Sequence, residues 1–231
     1  MTAQLPLFDA QPPDEAATCV RPLVWLDLCS GLGGASQPAL DRGWKVVRVD
    51  IDPRFRPEIV ADVRTLEADA QLDRLFRAAG AVIDVLWASP PCDEFSKWGL
   101  RCFNPNPPKP DLSIALAVHR IIDILHPRFW AVENVWAARP FLNPIFGPVR
   151  ARPPGHAIWS DLGFLLPPLK AHKGSAQGKR WGTFGTKSGG DGKGKRRNAA
   201  ESAVIPYEIG EAICAAVERR VSEEHDDDKT I

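Results

Sequence analysis

The stretch Leu23–Gly34, LVWLDLCSGLGG, decides the fold of this chain. Its first half is a short apolar run that predicts a buried strand, and its glycine-rich second half predicts a turn that opens a helix. Further strands are predicted at Trp44–Asp50, Glu58–Asp62, Val82–Ser89 and Phe129–Val135. Helical patterns at Glu67–Gly80 and after Asp111 lie between them. Strands that alternate with helices predict a Rossmann-like α/β fold, a mostly parallel sheet with helices on both faces.

Composition excludes several classes of protein. The 231 residues suffice for one domain, and 44% hydrophobic with 25% charged residues is typical of a soluble globular protein. No apolar run approaches the roughly 18 residues of a membrane span, and the N-terminus does not resemble a signal peptide. We therefore expect a cytoplasmic protein without a membrane partner. The five cysteines form no CxxC pair, so the sequence predicts no metal site and no disulfide framework.

Charge is distributed unevenly along the chain. The formal net charge is zero, but segment 170–197 holds nine Lys/Arg and one acid and so carries +8. The remainder, with 20 bases and 28 acids, carries −8. A concentrated basic segment on an otherwise acidic protein predicts a local contact with a polyanion.

Polar residues stand where several predicted strands end. Parallel sheets bind ligands at the carboxyl ends of their strands. Asp50, at the end of the second strand, is suited to accept hydrogen bonds from ribose hydroxyls, and the glycines after Asp27 allow close backbone approach to a ligand. Gly31, Gly33 and Gly34 do not follow the GxGxxG spacing, which disfavours a pyrophosphate. This motif alone is compatible with NAD, with S-adenosylmethionine, or with an ordinary turn.

Two further motifs follow the fourth and fifth strands. Cys92, in the loop SPPCDEFS, is either a nucleophile held by two prolines or a half-buried loop cysteine. Glu133, in VENV, is a carboxylate at the end of an apolar strand. Such a group is costly unless it is paired or used in chemistry.

Together, DLCSGLGG, VDID, ADV, SPPCDEFS and VENV resemble, in this order and spacing, the DNA (cytosine-5) methyltransferase family. The resemblance covers roughly residues 23–135, and PPC followed by ENV is its most specific part. It implies a class I S-adenosylmethionine-dependent methyltransferase fold. It also implies S-adenosyl-L-methionine as methyl donor, S-adenosyl-L-homocysteine as product, and no metal.

The resemblance assigns a cofactor site. Asp27 and the turn Gly31–Gly34 would hold the methionine part, Asp50 the ribose, and Asp62 with Val63 the adenine. Cys29 and Ile51 stand where the family usually has Phe and Trp, so two adenine contacts shrink. The full predicted set is Asp27, Cys29, Gly31, Gly33, Gly34, Asp50, Ile51, Asp62, Val63 and Pro90.

The resemblance also assigns the catalytic groups. Cys92 matches the nucleophile, Glu133 the acid that binds cytosine, and Asn134 its structural neighbour. Arg150 and Arg152 have the mutual spacing of the family's arginine motif but lie unusually close to Glu133. They are expected to contact the cytosine or the Cys92 loop, or to be a solvated basic loop.

The family's final motif, which returns to the cofactor pocket, is matched weakly by 202–206. The chemistry is addition of the Cys92 thiolate to C6 of cytosine, methylation at C5, loss of H5 and release of the thiolate. The target base must leave the duplex for this.

The largest departure from the family is size. Only residues 153–200 are available for target recognition, so the recognition domain is minimal or absent, as in compact phage-like enzymes. Residues predicted to contact double-stranded DNA are Ser96, Lys179, Arg180, Trp181, Lys193, Lys195, Arg196 and Arg197. The alternative for segment 170–197 is a flexible solvated loop. The predicted organisation is a lead-in at 1–22, a catalytic core at 23–135, a recognition region at 136–200, a last helix at 201–222 and a disordered acidic tail at 223–231.

These observations lead to one functional hypothesis. The chain is expected to be a monomeric DNA (cytosine-5-)-methyltransferase of EC 2.1.1.37 type, acting in a bacterial cell or a phage-infected host. One alternative is a cytosine-5 methyltransferase of free cytidine nucleotide or RNA. Another is a catalytically inactive DNA-binding relative, against which the intact Cys92 and Glu133 argue.

Overall fold

A six-stranded sheet forms the centre of the molecule. The computed structural model describes residues 21–66, 82–93, 95–96, 106, 109–163 and 204–228. The strands are β1 (Val24–Leu28), β2 (Lys45–Asp50), β3 (Ile59–Val60), β4 (Val85–Ala88), β5 (Phe129–Asn134) and β6 (Ala157–Ser160). Their order is β3-β2-β1-β4-β5-β6, all neighbours being parallel except that β6 runs antiparallel to β5.

Both faces of the sheet are covered. Every residue of β1 and β4 is buried, which explains why these strands appear as unbroken apolar runs. Alternation along β1 directs Leu26 and Leu28 into one core and Trp25 into the other. A mostly parallel sheet between two cores confirms the predicted Rossmann-like α/β fold.

Helices supply the other side of each core. They are α1 (Gln37–Asp41), α2 (Ser113–Leu125), α3 (Arg139–Phe146) and α4 (Tyr207–Asp228). α2 packs on one face of the sheet, while α1 and α4 share the core on the other face. We expected Asp111 to cap this helix, but α2 begins at Ser113 with Leu112 as its N-cap residue and without a side-chain cap. Asp111 lies one residue earlier, and its Oδ1 accepts a hydrogen bond from the Ser113 amide at 2.8 Å. No helix of the described ranges is long and apolar enough to cross a membrane.

The sequence pattern weakens after Val135, yet residues 136–163 contribute one strand to the sheet and one helix that packs on it. They form α3 and the edge strand β6, so the predicted recognition region at 136–200 begins inside the catalytic fold. Pro144 masks α3 in the sequence, because proline disfavours the interior of a helix. The part of that region from 164 onward, with the basic segment 170–197, lies outside the described residues.

The C-terminal helix is longer than predicted. We expected it to end near residue 222 and the acidic tail to be disordered from 223, but α4 continues to Asp228. An ion pair between Arg128 and Glu224 holds this end against the body of the protein, and extending a formed helix adds a hydrogen bond for each residue fixed. The predicted helix at 67–80 and residues 1–20 of the lead-in lie outside the described residues.

Candidate active site

A cavity of about 510 Å³ opens at the carboxyl ends of β1, β2 and β4. Seven of the ten residues predicted to bind the cofactor line it: Cys29, Gly31, Gly34, Asp50, Ile51, Asp62 and Val63. Asp27, Gly33 and Pro90 do not. Cys92 lines the same cavity, so the predicted nucleophile and most of the predicted cofactor residues share one cavity.

The turn after β1 is shaped by backbone angles that favour glycine. Gly31 and Gly33 have φ of +50° and +76°, and Cys29 between them and the strand has φ of +55°. Gly34 has a different constraint, because a Cβ there would lie 2.7 Å from Val204 Cγ1 and 2.8 Å from the Ile205 carbonyl oxygen. Both of those residues line the cavity. The weakly matched final motif at 202–206 therefore has its described part, 204–206, next to this turn.

Asp27 lies behind the cavity wall. Its side chain is 1% exposed, and its Oδ2 accepts a hydrogen bond of 2.6 Å from the Ser36 hydroxyl just before α1. Burial raises the pKa of Asp27 to about 7, although the hydrogen bond from Ser36 opposes this shift. The Ser36 hydroxyl also lies 3.4 Å from the Gly33 carbonyl oxygen, so Asp27 is linked to the glycine turn through Ser36.

Asp50 links the ends of β1 and β2. Its Oδ2 accepts a hydrogen bond from the Gly31 amide at 2.8 Å and its Oδ1 from the Asp52 amide at 2.9 Å. Each carboxylate oxygen keeps a second lone pair, so the buried Asp50 can still accept hydrogen bonds from a ligand in the cavity.

Two arginines missed by the sequence reasoning also line the cavity. Arg64 Nη2 lies 2.6 Å from Asp62 Oδ2, and Arg54 Nη2 lies 2.5 Å from Asp52 Oδ2. The Arg64 guanidinium lowers the pKa of Asp62. Asp62, which was predicted to contact adenine, is therefore a carboxylate already paired with the Arg64 guanidinium. A spacing of two residues between acid and arginine, DPR and DVR, was the available sequence signal.

Cys92 follows the rigid Pro90-Pro91 pair at the end of β4. Burial raises the pKa of its thiol, and the negative charge of Glu133 raises it further. A hydrogen bond between the Ser96 and Cys92 side chains acts in the opposite direction. Ser96, which was predicted to contact DNA, is thus placed against the thiol. The described surroundings do not by themselves activate Cys92.

Glu133 and Asn134 end β5 next to the Cys92 loop. Asn134 is fully buried, and its Nδ2 donates a hydrogen bond of 2.9 Å to the Pro90 carbonyl oxygen. This bond ties β5 to the loop that presents Cys92. The Glu133 carboxylate is also buried, and its Oε1 lies 2.7 Å from Nδ1 of His156. His156 was missed because only strand pairing brings it to Glu133.

Among the described residues, His156 pairs with Glu133, whereas the predicted Arg150 and Arg152 do not. The Arg150 amide donates to the Ile158 carbonyl oxygen at 2.8 Å, and the Arg150 side chain is exposed. The Arg152 guanidinium lies 3.9 Å from the centre of the Trp136 ring, whose centre is also 4.5 Å from the Arg139 guanidinium. Neither predicted arginine pairs with Glu133 in the part of the chain that is described.

No family model and no curated protein matches this chain. Similar solved structures include a DNA modification methyltransferase described as encoded within a prophage of E. coli, with 25% identity, a TM-score of 0.38, and coverage of 52% of this chain and 34% of that one. The methyltransferase EhMeth of Entamoeba histolytica has 16% identity, a TM-score of 0.36, and coverage of 52% and 40%.

A mutant of DNMT2 from Spodoptera frugiperda has 21% identity, a TM-score of 0.31, and coverage of 49% and 36%. This chain therefore spans between 34% and 40% of the lengths of these three structures.

Proposed function

We propose that this chain is an S-adenosylmethionine-dependent DNA (cytosine-5) methyltransferase, with Cys92 as nucleophile and Glu133 as the residue that binds the target base. One observation carries the proposal: Cys92 lines the same cavity as Asp50 and the glycine turn, and lies close enough to Glu133 for the carboxylate to raise its pKa. A methyl donor and a nucleophile would thus meet in one place.

The residues of the cavity fit S-adenosylmethionine. Its volume of about 510 Å³ lies within the usual range of small-molecule sites, about 300–1,000 Å³. Asp50 offers free lone pairs to ribose hydroxyls. The Ser30 hydroxyl in the cavity wall is buried and has no hydrogen-bond partner among the described residues, so a ligand could satisfy it. When bound, the cofactor would supply a methyl group on a positively charged sulfur.

The chain's own residues account for the remaining chemistry. Cytosine C5 is a weak nucleophile until the Cys92 thiolate adds to C6, which moves the ring electrons toward C5. The Glu133 carboxyl, when protonated, donates a hydrogen bond to N3, and it accepts one from the exocyclic amine, which favours this electron shift. After C5 has taken the methyl group, a base removes H5, the electron pair re-forms the C5–C6 double bond, and the thiolate leaves. Cys92 must first lose its proton.

Double-stranded DNA is the proposed substrate. Segment 170–197 carries +8, and its lysines and arginines are suited to phosphate contacts. The target cytosine would leave the duplex to reach Cys92.

Methyl transfer to DNA tests this proposal directly. The full chain is incubated with tritiated S-adenosylmethionine and duplex DNA, and the product is sequenced after bisulfite treatment. We expect 5-methylcytosine from the wild type and none from Cys92→Ser, which should still bind the cofactor. Cys214→Ala, which changes a cysteine in α4 away from the cavity, is the matched control. Parallel reactions with RNA and with free cytidine nucleotide identify the substrate; methylation of either one instead of DNA would reject DNA as the substrate.

A duplex containing 5-fluorocytosine tests the role of Cys92. Fluorine at C5 cannot leave as a proton, so the covalent adduct should accumulate on Cys92. An adduct mapped to Cys29 or Cys102 would reject the assignment.

A further inference from the structure

Glu133 and His156 form a pair at the end of β5. The side chains are 8% and 21% exposed, and Nδ1 of His156 lies 2.7 Å from Oε1 of Glu133. An ionised carboxylate can only accept a hydrogen bond, so Nδ1 of His156 is the donor whenever Glu133 is ionised. We infer that His156 is a positioning residue for Glu133, fixing Oε1 so that Oε2 serves the target base. This inference rests on the proposed function.

Strand register explains how His156 reaches Glu133. Glu133 is directly opposite Ile158 in the antiparallel pair β5–β6. His156 precedes Ile158 by two residues and therefore lies on the same face of the sheet, diagonal to Glu133. The pairing of residues 23 positions apart thus brings an imidazole to a buried carboxylate.

The turn before β6 holds the imidazole in place. The His156 amide donates to the Pro153 carbonyl oxygen at 3.0 Å, and Gly155 supplies the positive φ of +92° that the turn requires. Ala151 pairs with Ile158 on the far side of this turn. Both ends of the turn are therefore anchored to β6, and His156 faces Glu133 before any substrate is present.

The geometry divides the two oxygens of Glu133 between two tasks. Oε1 is engaged by His156, and the hydrogen bond found for the Glu133 carboxyl among the described residues is this one to Oε1. Thiolate addition to C6 moves negative charge toward N3 of the base, and a carboxyl group already held in place can respond without reorganising. Arg152, expected in this neighbourhood, lies over Trp136, and Arg150 is exposed. His156 is thus the basic side chain that contacts Glu133.

Two substitutions separate positioning from simple structural support. His156→Ala removes the donor, whereas His156→Asn retains one, because the Asn Nδ2 amide occupies the place of Nδ1. His119→Ala is the matched control: it removes the exposed pair of His119 with Asp123 on α2, 2.9 Å apart. The assay is methylation of duplex DNA, with KM and kcat determined separately, alongside calorimetric binding of S-adenosylmethionine and thermal unfolding.

We expect His156→Ala to lower kcat by about 100-fold, as for a misplaced reacting group, with little change in KM or cofactor affinity. His156→Asn should recover most of the lost kcat, and His119→Ala should behave as the wild type. Unchanged kcat in His156→Ala, or equal loss in His156→Ala and His156→Asn, would overturn the inference. A wild type that makes no 5-methylcytosine would overturn the proposed function and this inference together.

Discussion

The Cys92 thiol reacts only as a thiolate, and burial together with the Glu133 charge opposes its ionisation. A raised pKa means that less thiolate is present at a given pH, so reactivity should increase with pH through and beyond the ordinary thiol range, about 8.5. The rate of Cys92 alkylation, mapped by mass spectrometry, should have its midpoint above that of free cysteine.

Substitutions around Cys92 should move this midpoint in opposite directions. Ser96→Ala removes a hydrogen bond that lowers the pKa and should raise the midpoint, while Glu133→Gln removes a negative charge and should lower it. Ser222→Ala on α4 is the control. A midpoint at or below that of free cysteine would contradict the described environment.

Asp50 is the second residue whose role can be isolated. Asp50→Ala should weaken S-adenosylmethionine binding by about 1.5–3 kcal/mol, the range for loss of a charged hydrogen-bond acceptor. It also frees the Gly31 amide that the carboxylate holds. Calorimetry should show the change in cofactor affinity and unchanged DNA affinity. Asp123→Ala, on the exposed side of α2, should alter neither, and a normal cofactor affinity in Asp50→Ala would remove Asp50 from the site.

At the level of secondary-structure elements, α4 and the start of α1 lie so close together that no side chain fits at Gly210. A Cβ at Gly210 would lie 2.1 Å from the Ala35 carbonyl oxygen and 3.1 Å from Pro38 Cγ. Gly210→Ala should therefore destabilise the protein by about 1–3 kcal/mol, as overpacking does, although alanine is the better helix former by about 1 kcal/mol. Urea unfolding measures the change.

The displacement of α4 should also affect the cavity. Ile205, just before α4, lines the cavity wall, so Gly210→Ala should weaken cofactor binding as well. Gly163→Ala is the control, because no atom of the described residues lies within 4 Å of a Cβ there. Equal stability of Gly210→Ala and the wild type would contradict the close contact between α4 and α1.

At the scale of the whole molecule, charge separates one segment from the rest. Neutralising Lys193, Lys195, Arg196 and Arg197 should weaken duplex binding about equally for all sequences. It should also flatten the slope of log affinity against log salt by up to ~3–4 units, near 0.9 for each lost phosphate contact. Neutralising Arg219 and Arg220, two exposed arginines of α4, controls for the loss of positive charge outside the segment. An unchanged slope in the fourfold variant would show that segment 170–197 is a solvated loop.

Local sequence patterns predicted five of the six strands and most of the cavity residues. β1, β2, β4 and β5 were predictable because buried parallel strands leave unbroken apolar runs, and such strands end at one edge of the sheet. Asp50 and Cys92 could therefore be expected at that edge, and the structure places both on one cavity. These features depend on local pattern and on a general rule of parallel topology.

The tertiary structure alone decided the partners at the end of β5. β6 is an edge strand that follows the point where the alternating pattern weakens, and its antiparallel register brings His156 to Glu133. The stacking of Arg152 on Trp136 likewise joins residues distant in the chain. Local patterns record whether a residue is buried, but which side chains meet across a sheet edge depends on register and on the turn that sets it.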